Sequence, residues 1–153
     1  MRLLLDTAYL LPAIGVSIKG LPKDAFIRLI QKGHQISISN ISVFELSAKG
    51  AKHVATGTLS AERVTRGISA IVYDEGMTVV PMHDRSVLLM AFKLRRMLSD
   101  FIDCLILSSA MNYCDAIVIE DTDIQELKKK KEFNGIVAAV NPKFKIQTLT
   151  NTL

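Results

Sequence analysis

The chain has no tryptophan, two cysteines, four prolines and three histidines among its 153 residues, and aromatic residues make up 6% of it. Each scarcity removes a class of explanation. Cys104 and Cys114 fall in what reads as a single helix, where about ten residues of rise set them roughly 15 Å apart, far beyond disulfide reach. A stapled fold is excluded, and a reduced, intracellular chain is expected. The few aromatics accompanying the basic residues supply no extended stacking platform for single strands. His34, His53 and His83 are scattered over three segments without ligand spacing, so exposed or locally bonded histidines are the default. No Gly-rich phosphate-cradling loop, nucleophile elbow, or Cys and His pair at motif spacing occurs. The longest apolar stretches, such as Leu3 to Leu5 and Ala116 to Ile119, are too short to span a bilayer. The first residues read as a strand leading into an acid rather than as a signal sequence, which makes a cytoplasmic location the expectation. Internal repeats, linkers and low-complexity segments are also absent.

What remains is ordinary globular material. Apolar residues are 49% of the chain, enough for residues 1–153 to bury one core as a single domain. A formal charge of +4 and a pI near 9.1 favour a polyanion if the excess gathers on one face.

Strand and helix patterns alternate along the chain, which predicts an α/β fold with a parallel sheet covered by helices. Arg2 to Leu5 reads as a central strand, followed by a short helical segment from Thr7. Pro22 opens a helix over Lys23 to Lys32, with Phe26, Ile27 and Ile30 on one face and Gly33 closing it. Gln35 to Ser39 is a second strand. Ile41 to Val54 fits a helix with Phe44, Ala48 and Ala51 inward, although Gly50 is a poor helix former. Ser60 caps the next helix, and Met77 to Val80 is a short buried strand. Asp84 is placed to cap the helix carrying Val87, Leu88, Ala91 and Leu94, and a break at Ser99 and Asp100 introduces another. Ala116 to Ile119 is a continuous apolar strand, followed by a polar helix carrying Lys128 to Lys131. Ile136 to Val140 reads as the last strand, and Lys145 to Leu149 as an edge strand or tail.

Against this background Asp6, Glu45, Asp103 and Asp121 are out of place. Each lies at or just beyond an apolar run, where an unpaired charge costs several kcal/mol or shifts its pKa. No Lys or Arg stands at an obvious compensating spacing. In an open parallel sheet, ligands gather outside the carboxyl ends of the strands where the strand order reverses. If the strands ending at Asp6 and just before Asp121 are central neighbours, both acids open into one crevice, and Glu45 and Asp103 can lean over it. An oxygen-only cluster suits a hard cation, Mg²⁺ or Mn²⁺. One or two such ions would suit phosphodiester hydrolysis by an activated water, with the carboxylates as ligands rather than proton carriers.

Four segments carry a family likeness. LLLDTAYL, SVFEL, DCLILSSA beginning at Asp103, and VIEDTDIQEL together resemble the acidic motifs of PIN-domain ribonucleases, especially the toxin components of VapBC toxin-antitoxin pairs. The resemblance spans nearly the full chain. It implies a three-layer fold with a central parallel sheet of four or five strands flanked by helices. It further implies Mg²⁺- or Mn²⁺-dependent RNA cleavage, a homodimer and a VapB-like antitoxin that inserts a segment across the acidic site. By motif match Asp6, Glu45, Asp103 and Asp121 would be catalytic metal ligands, Asp123 an auxiliary ligand, and Thr7 a hydroxyl bonding a ligand or Asp6. The chain departs from many relatives at Ala8 and Ile119, where Ser or Asn and Thr respectively are usual.

Each acid also has a plainer role open to it. Asp6 can cap the segment beginning at Thr7, Asp100 and Asp103 are spaced as a cap and its third following residue, and either Asp121 or Asp123 can cap the next helix. Lys128 to Lys131 can be a solvated helix face or, with Arg95, Arg96, Arg63 and Arg66, a source of phosphate contacts. Arg95 and Arg96 are the favoured substrate-binding pair. Two functions of different class therefore stand: a metal-dependent endoribonuclease, and a catalytically weak or inactive relative that binds protein or RNA.

Overall fold

The computed structural model describes residues 1–153. Its centre is a sheet of five short parallel strands, β1 (Arg2–Leu5), β2 (Gln35–Ser39), β3 (Met77–Val80), β4 (Ala116–Val118) and β5 (Lys145–Gln147), in the order β3-β2-β1-β4-β5. The central strands are apolar on both faces, as a sheet covered on two sides requires. Leu4 and Ile117 point into one core with the helices α4 (Arg85–Leu94), α5 (Phe101–Tyr113) and α7 (Lys131–Val140). Leu3, Leu5, Ala116 and Val118 point the other way, against Ala25 and Leu29 of α1 (Ala25–Gln31). A third cluster joins Ile38 to Leu46 of α2 (Asn40–Ala55), Val64 and Ile71 of α3 (Ala61–Val72), and Leu10 and Ile14 of the 3₁₀ segment Thr7–Ile14.

Chain direction around this sheet positions the site. From β1 the chain builds outward through β2 to the edge at β3, then returns to lay β4 on the other side of β1. The order reverses between β1 and β4, whose registered pairing runs Leu3 with Ala116 to Leu5 with Val118. Residues leaving these strands at their carboxyl ends therefore share the crevice that the reversal opens.

Four expectations are corrected. Ile136 to Val140 is not a strand but the second half of α7, anchored by buried Phe133 with Ile136 and Val137 half-buried behind it. The sheet's last member is instead β5, parallel to β4 at the edge. In α2 the inward residues are Ser42, Leu46 and Gly50, whereas Phe44 is 64% exposed and Ala48 and Ala51 face solvent. In α1 the buried positions are Ala25 and Leu29, Phe26 is half-buried, and Ile27 and Ile30 are exposed. The Lys128 to Lys131 run is also divided: α6 (Thr122–Glu126) passes into a 3₁₀ turn over Leu127–Lys129, and Lys131 starts α7.

Candidate functional site

Asp6 is the first residue after β1, and its Oδ2 accepts a hydrogen bond from the Ala8 amide at 3.4 Å, capping the 3₁₀ segment. Burial pushes the Asp6 carboxyl up from its ordinary pKa, and nearby Glu45 adds to the shift, while the Ala8 and Thr7 amides and Lys49 oppose it.

Glu45 enters from α2, nearly two turns past its Ser39 cap. Thr7, 2% exposed, donates its hydroxyl to Glu45 Oε1 at 2.6 Å, so the residue after Asp6 fixes the orientation of the second acid. A charge-assisted bond of this length is among the stronger side-chain interactions. Ser42, from the same turn of α2, is buried with its hydroxyl unpartnered.

Asp103 stands in the first turn of α5, which Asp100 caps by accepting from the Ile102 amide at 2.8 Å. Asp103 is the most perturbed acid of the set. Burial comes first among the causes, followed by the negative charges of Asp100, Asp121, Asp6 and Glu45, and together they push its carboxyl up to about 7. The charges of Asp6, Glu45 and Asp121, from three other segments, and of Asp100, the cap of the same helix, all bear on Asp103. Asp121, two residues beyond Ile119, caps α6 by accepting from the Ile124 amide at 3.0 Å. Asp123 is exposed and lies in a neighbouring cleft with Glu126 and Lys130.

No salt bridge reaches any of Asp6, Glu45, Asp103 or Asp121; the ion pairs are Arg2 with Asp115, Arg28 with Asp24, Arg66 with Glu62 and Lys129 with Glu126, all on the surface. Nor do the acids close into a finished cage, since no three His, Cys, Asp or Glu side chains are placed to hold an ion as they stand. The arrangement is a set of acids that bear on Asp103 without forming a closed ion site. Its donor chemistry, oxygen only and without a paired cation, fits a hard divalent ion that keeps part of its water shell.

Two residues at the site escaped the sequence reading. Lys49 is the one cation acting on Asp6, and its position four residues after Glu45 on α2 was a readable signal. Glu120 accepts the Tyr9 hydroxyl at 2.7 Å and the Leu149 amide at 3.0 Å, tying the 3₁₀ segment to the start of the last helix, α8 (Leu149–Thr152). That pairing spans more than a hundred residues and had no local signature. Of the basic residues, Arg63 is committed to the Ala13 carbonyl at 2.5 Å and Arg66 to Glu62, both on α3. Arg95 and Arg96 are exposed at the end of α4, Arg95 bonding the Leu98 carbonyl at 3.2 Å. Both cysteines are free and buried.

The frame is a parallel α/β domain with acidic residues at the carboxyl ends of the two strands between which the sheet order reverses. The family model described as the PIN domain matches residues 3–130, and the chain belongs to the PIN-domain family. Among solved structures it is similar to a chain of VapBC2 from Rickettsia felis bound to a DNA fragment from their promoter. That likeness has a TM-score of 0.60 and 16% identity, and it covers 97% of this chain and 98% of that one. At such identity the likeness speaks for the fold. No curated protein matches by sequence. No helix of the structure is long and apolar enough to cross a membrane.

Proposed function

We propose that this protein is a VapC-like toxin, a metal-dependent endoribonuclease that hydrolyses RNA phosphodiester bonds. The observation that supports the reading is that the charges of Asp6, Glu45 and Asp121 all bear on Asp103, with no cationic side chain bonded to any of the four. These four would hold one or two Mg²⁺ or Mn²⁺ ions, with Asp123 as an auxiliary ligand. Bound there, the ions would supply Lewis-acid polarisation of the phosphodiester and a water nucleophile at neutral pH.

The chain's own residues do the rest. Thr7 holds Glu45 in one rotamer. Asp6 and Asp121 keep one oxygen each on a helix amide, which restricts the carboxylates to a small range of directions. Arg95 and Arg96 offer phosphate contacts at the rim of the site. The exposed stacked pair Phe92 and Phe101, with ring centroids 5.9 Å apart, would give a second copy of the chain apolar surface to cover. A VapB-like antitoxin would silence the enzyme by laying a segment over the crevice, in the cytoplasm.

The test is Mn²⁺-dependent cleavage of a structured RNA by the wild type and by an Asp6→Asn, Asp103→Asn double variant. Cleavage by the wild type alone is the expected result. Equal cleavage by both identifies a contaminating nuclease and removes the assignment, while RNA binding without cleavage by either favours a non-catalytic binding module.

A further inference from the structure

Two basic runs that are far apart in the sequence meet in the fold. Lys93, Arg95 and Arg96 are exposed at the end of α4, and Lys128 to Lys131 are exposed where α6 passes into α7. Lys130 Nζ donates to the Met97 carbonyl at 3.3 Å, which fixes the second run against the turn that ends the first. Within this group only Lys129 is paired with a carboxylate, Glu126, and Lys128 bonds the neutral Gln125. Lys93, Arg96 and Lys131 have no carboxylate partner, and neither do Arg95, Lys128 and Lys130. Between the runs lies a cleft of about 270 Å³ lined by Met97, Leu98, Ser99, Asp123, Glu126 and Lys130. The cleft adjoins the acidic residues along the chain, since Ser99 precedes Asp100, the cap of α5, and Asp123 is two residues past Asp121, the cap of α6.

We propose that this corner, the end of α4 with the start of α7, is a track for the phosphate backbone of RNA leading into the crevice. The inference rests on the ribonuclease reading but concerns binding, not turnover. A crevice of carboxylates repels a polyanion, so a substrate must be held by positive charge beside it. Exposed Lys and Arg at several backbone positions meet that need without reading sequence. The alternative basic set, Arg63 and Arg66 on α3, does not serve. Its helix packs on α2 and the 3₁₀ segment, away from the Lys130 to Met97 contact that joins the two runs.

The experiment measures binding of the full-length protein to a mixed-sequence single-stranded RNA oligonucleotide in chelator, so that no cleavage intervenes, across a series of salt concentrations. Each phosphate contact contributes about 0.7 to the slope of log affinity against log salt for single strands. Lys130→Gln with Lys131→Gln, and separately Lys93→Gln with Arg96→Gln, are each expected to reduce that slope by about 1.4. Using one pair from each run covers the case in which the loss of the Lys130 to Met97 bond disturbs folding. Arg66→Gln is expected to leave the slope unchanged. Unaltered slopes in both pairs overturn the proposal, as does an equal loss in Arg66→Gln or displacement of the RNA by polyglutamate of matched charge. A wild type that binds through these residues yet fails to cleave with Mn²⁺ sinks the ribonuclease reading and leaves the track standing.

Discussion

At Asp103, burial and four other carboxylates all disfavour the ionised form, and the consequence is a proton held up to about pH 7. An ordinary aspartate in the unfolded chain releases its proton near 3.9. Between those values the folded state binds the extra proton, so the Asp103 contribution to stability is full below about pH 4 and is lost as pH rises through about 7. Metal-free protein is therefore expected to melt at a lower temperature at pH 8 than at pH 6. Asp103→Asn removes the ionisation and should flatten this difference while raising the melting temperature at pH 8; a variant that keeps the wild-type slope shows that another group dominates. Thr7 makes the opposite kind of contribution. Its hydroxyl is the sole hydrogen-bond donor to Glu45 and is itself buried. Thr7→Val keeps the shape and deletes the bond, at a cost of about 1.5–3 kcal/mol for a hydrogen bond to a charged group. Urea denaturation reads the loss, and Thr7→Ser should recover most of it.

Among the helices, two glycines of the same type in sequence have opposite roles in space. A methyl group on Gly67, in α3, would run into the backbone of Ala13, because α3 lies directly against the 3₁₀ segment that follows Asp6. Gly67→Ala should destabilise the protein by about 1–3 kcal/mol through overpacking, despite the better helix propensity of alanine. At Gly135, in α7, a methyl group meets nothing within 4 Å. There the propensity gain of about 1 kcal/mol should appear undiminished, and a Gly135→Ala protein should be the more stable. If Gly67→Ala stabilises as well, the packing of α3 is misassigned.

Gly50 shows the same physics as a misreading. Its poor propensity weakens the helix pattern in sequence, yet it is glycine because the Val64 side chain occupies the space of its missing methyl. The contact also explains why the larger stripe Phe44, Ala48, Ala51 lost to Ser42, Leu46, Gly50: the buried face of α2 is the one small enough for close approach to α3. Periodicity picked out the stripe with the large aromatic, and only the partner helix shows that the other faces inward. The run Ile136 to Val140 failed for a related reason, since a short apolar stretch rich in β-branched residues reads as a strand until Phe133, one helical turn earlier, is counted with it. Caps, by contrast, are local, and Asp84, Asp100 and Ser60 were legible because a short polar side chain beside an amide needs no distant partner.

Across the whole molecule, the site exists only because strand order brings distant segments together. Asp6 and Asp121 were legible as strand-end acids, and their adjacency required β1 and β4 to be neighbours, which alternation alone does not specify. Once adjacent, the acids are a source of repulsion that the rest of the fold must overcome, and under the proposed function a divalent ion that binds only the folded chain would relieve it. At a free concentration one hundred times its dissociation constant, such an ion adds about 2.7 kcal/mol. For a domain near 150 residues this corresponds to a rise of about 5–10 °C in melting temperature. Mn²⁺ should produce that rise in the wild type at pH 8 and a smaller one at pH 6, where protons compete for Asp103. The Asp6→Asn, Asp103→Asn protein, relieved of two charges, should be more stable without metal and indifferent to it. The paired outcome is the strict test: a cation shift of equal size in both proteins would place binding elsewhere on the surface, and no shift in the wild type would mean that the crevice carries its charge without needing an ion.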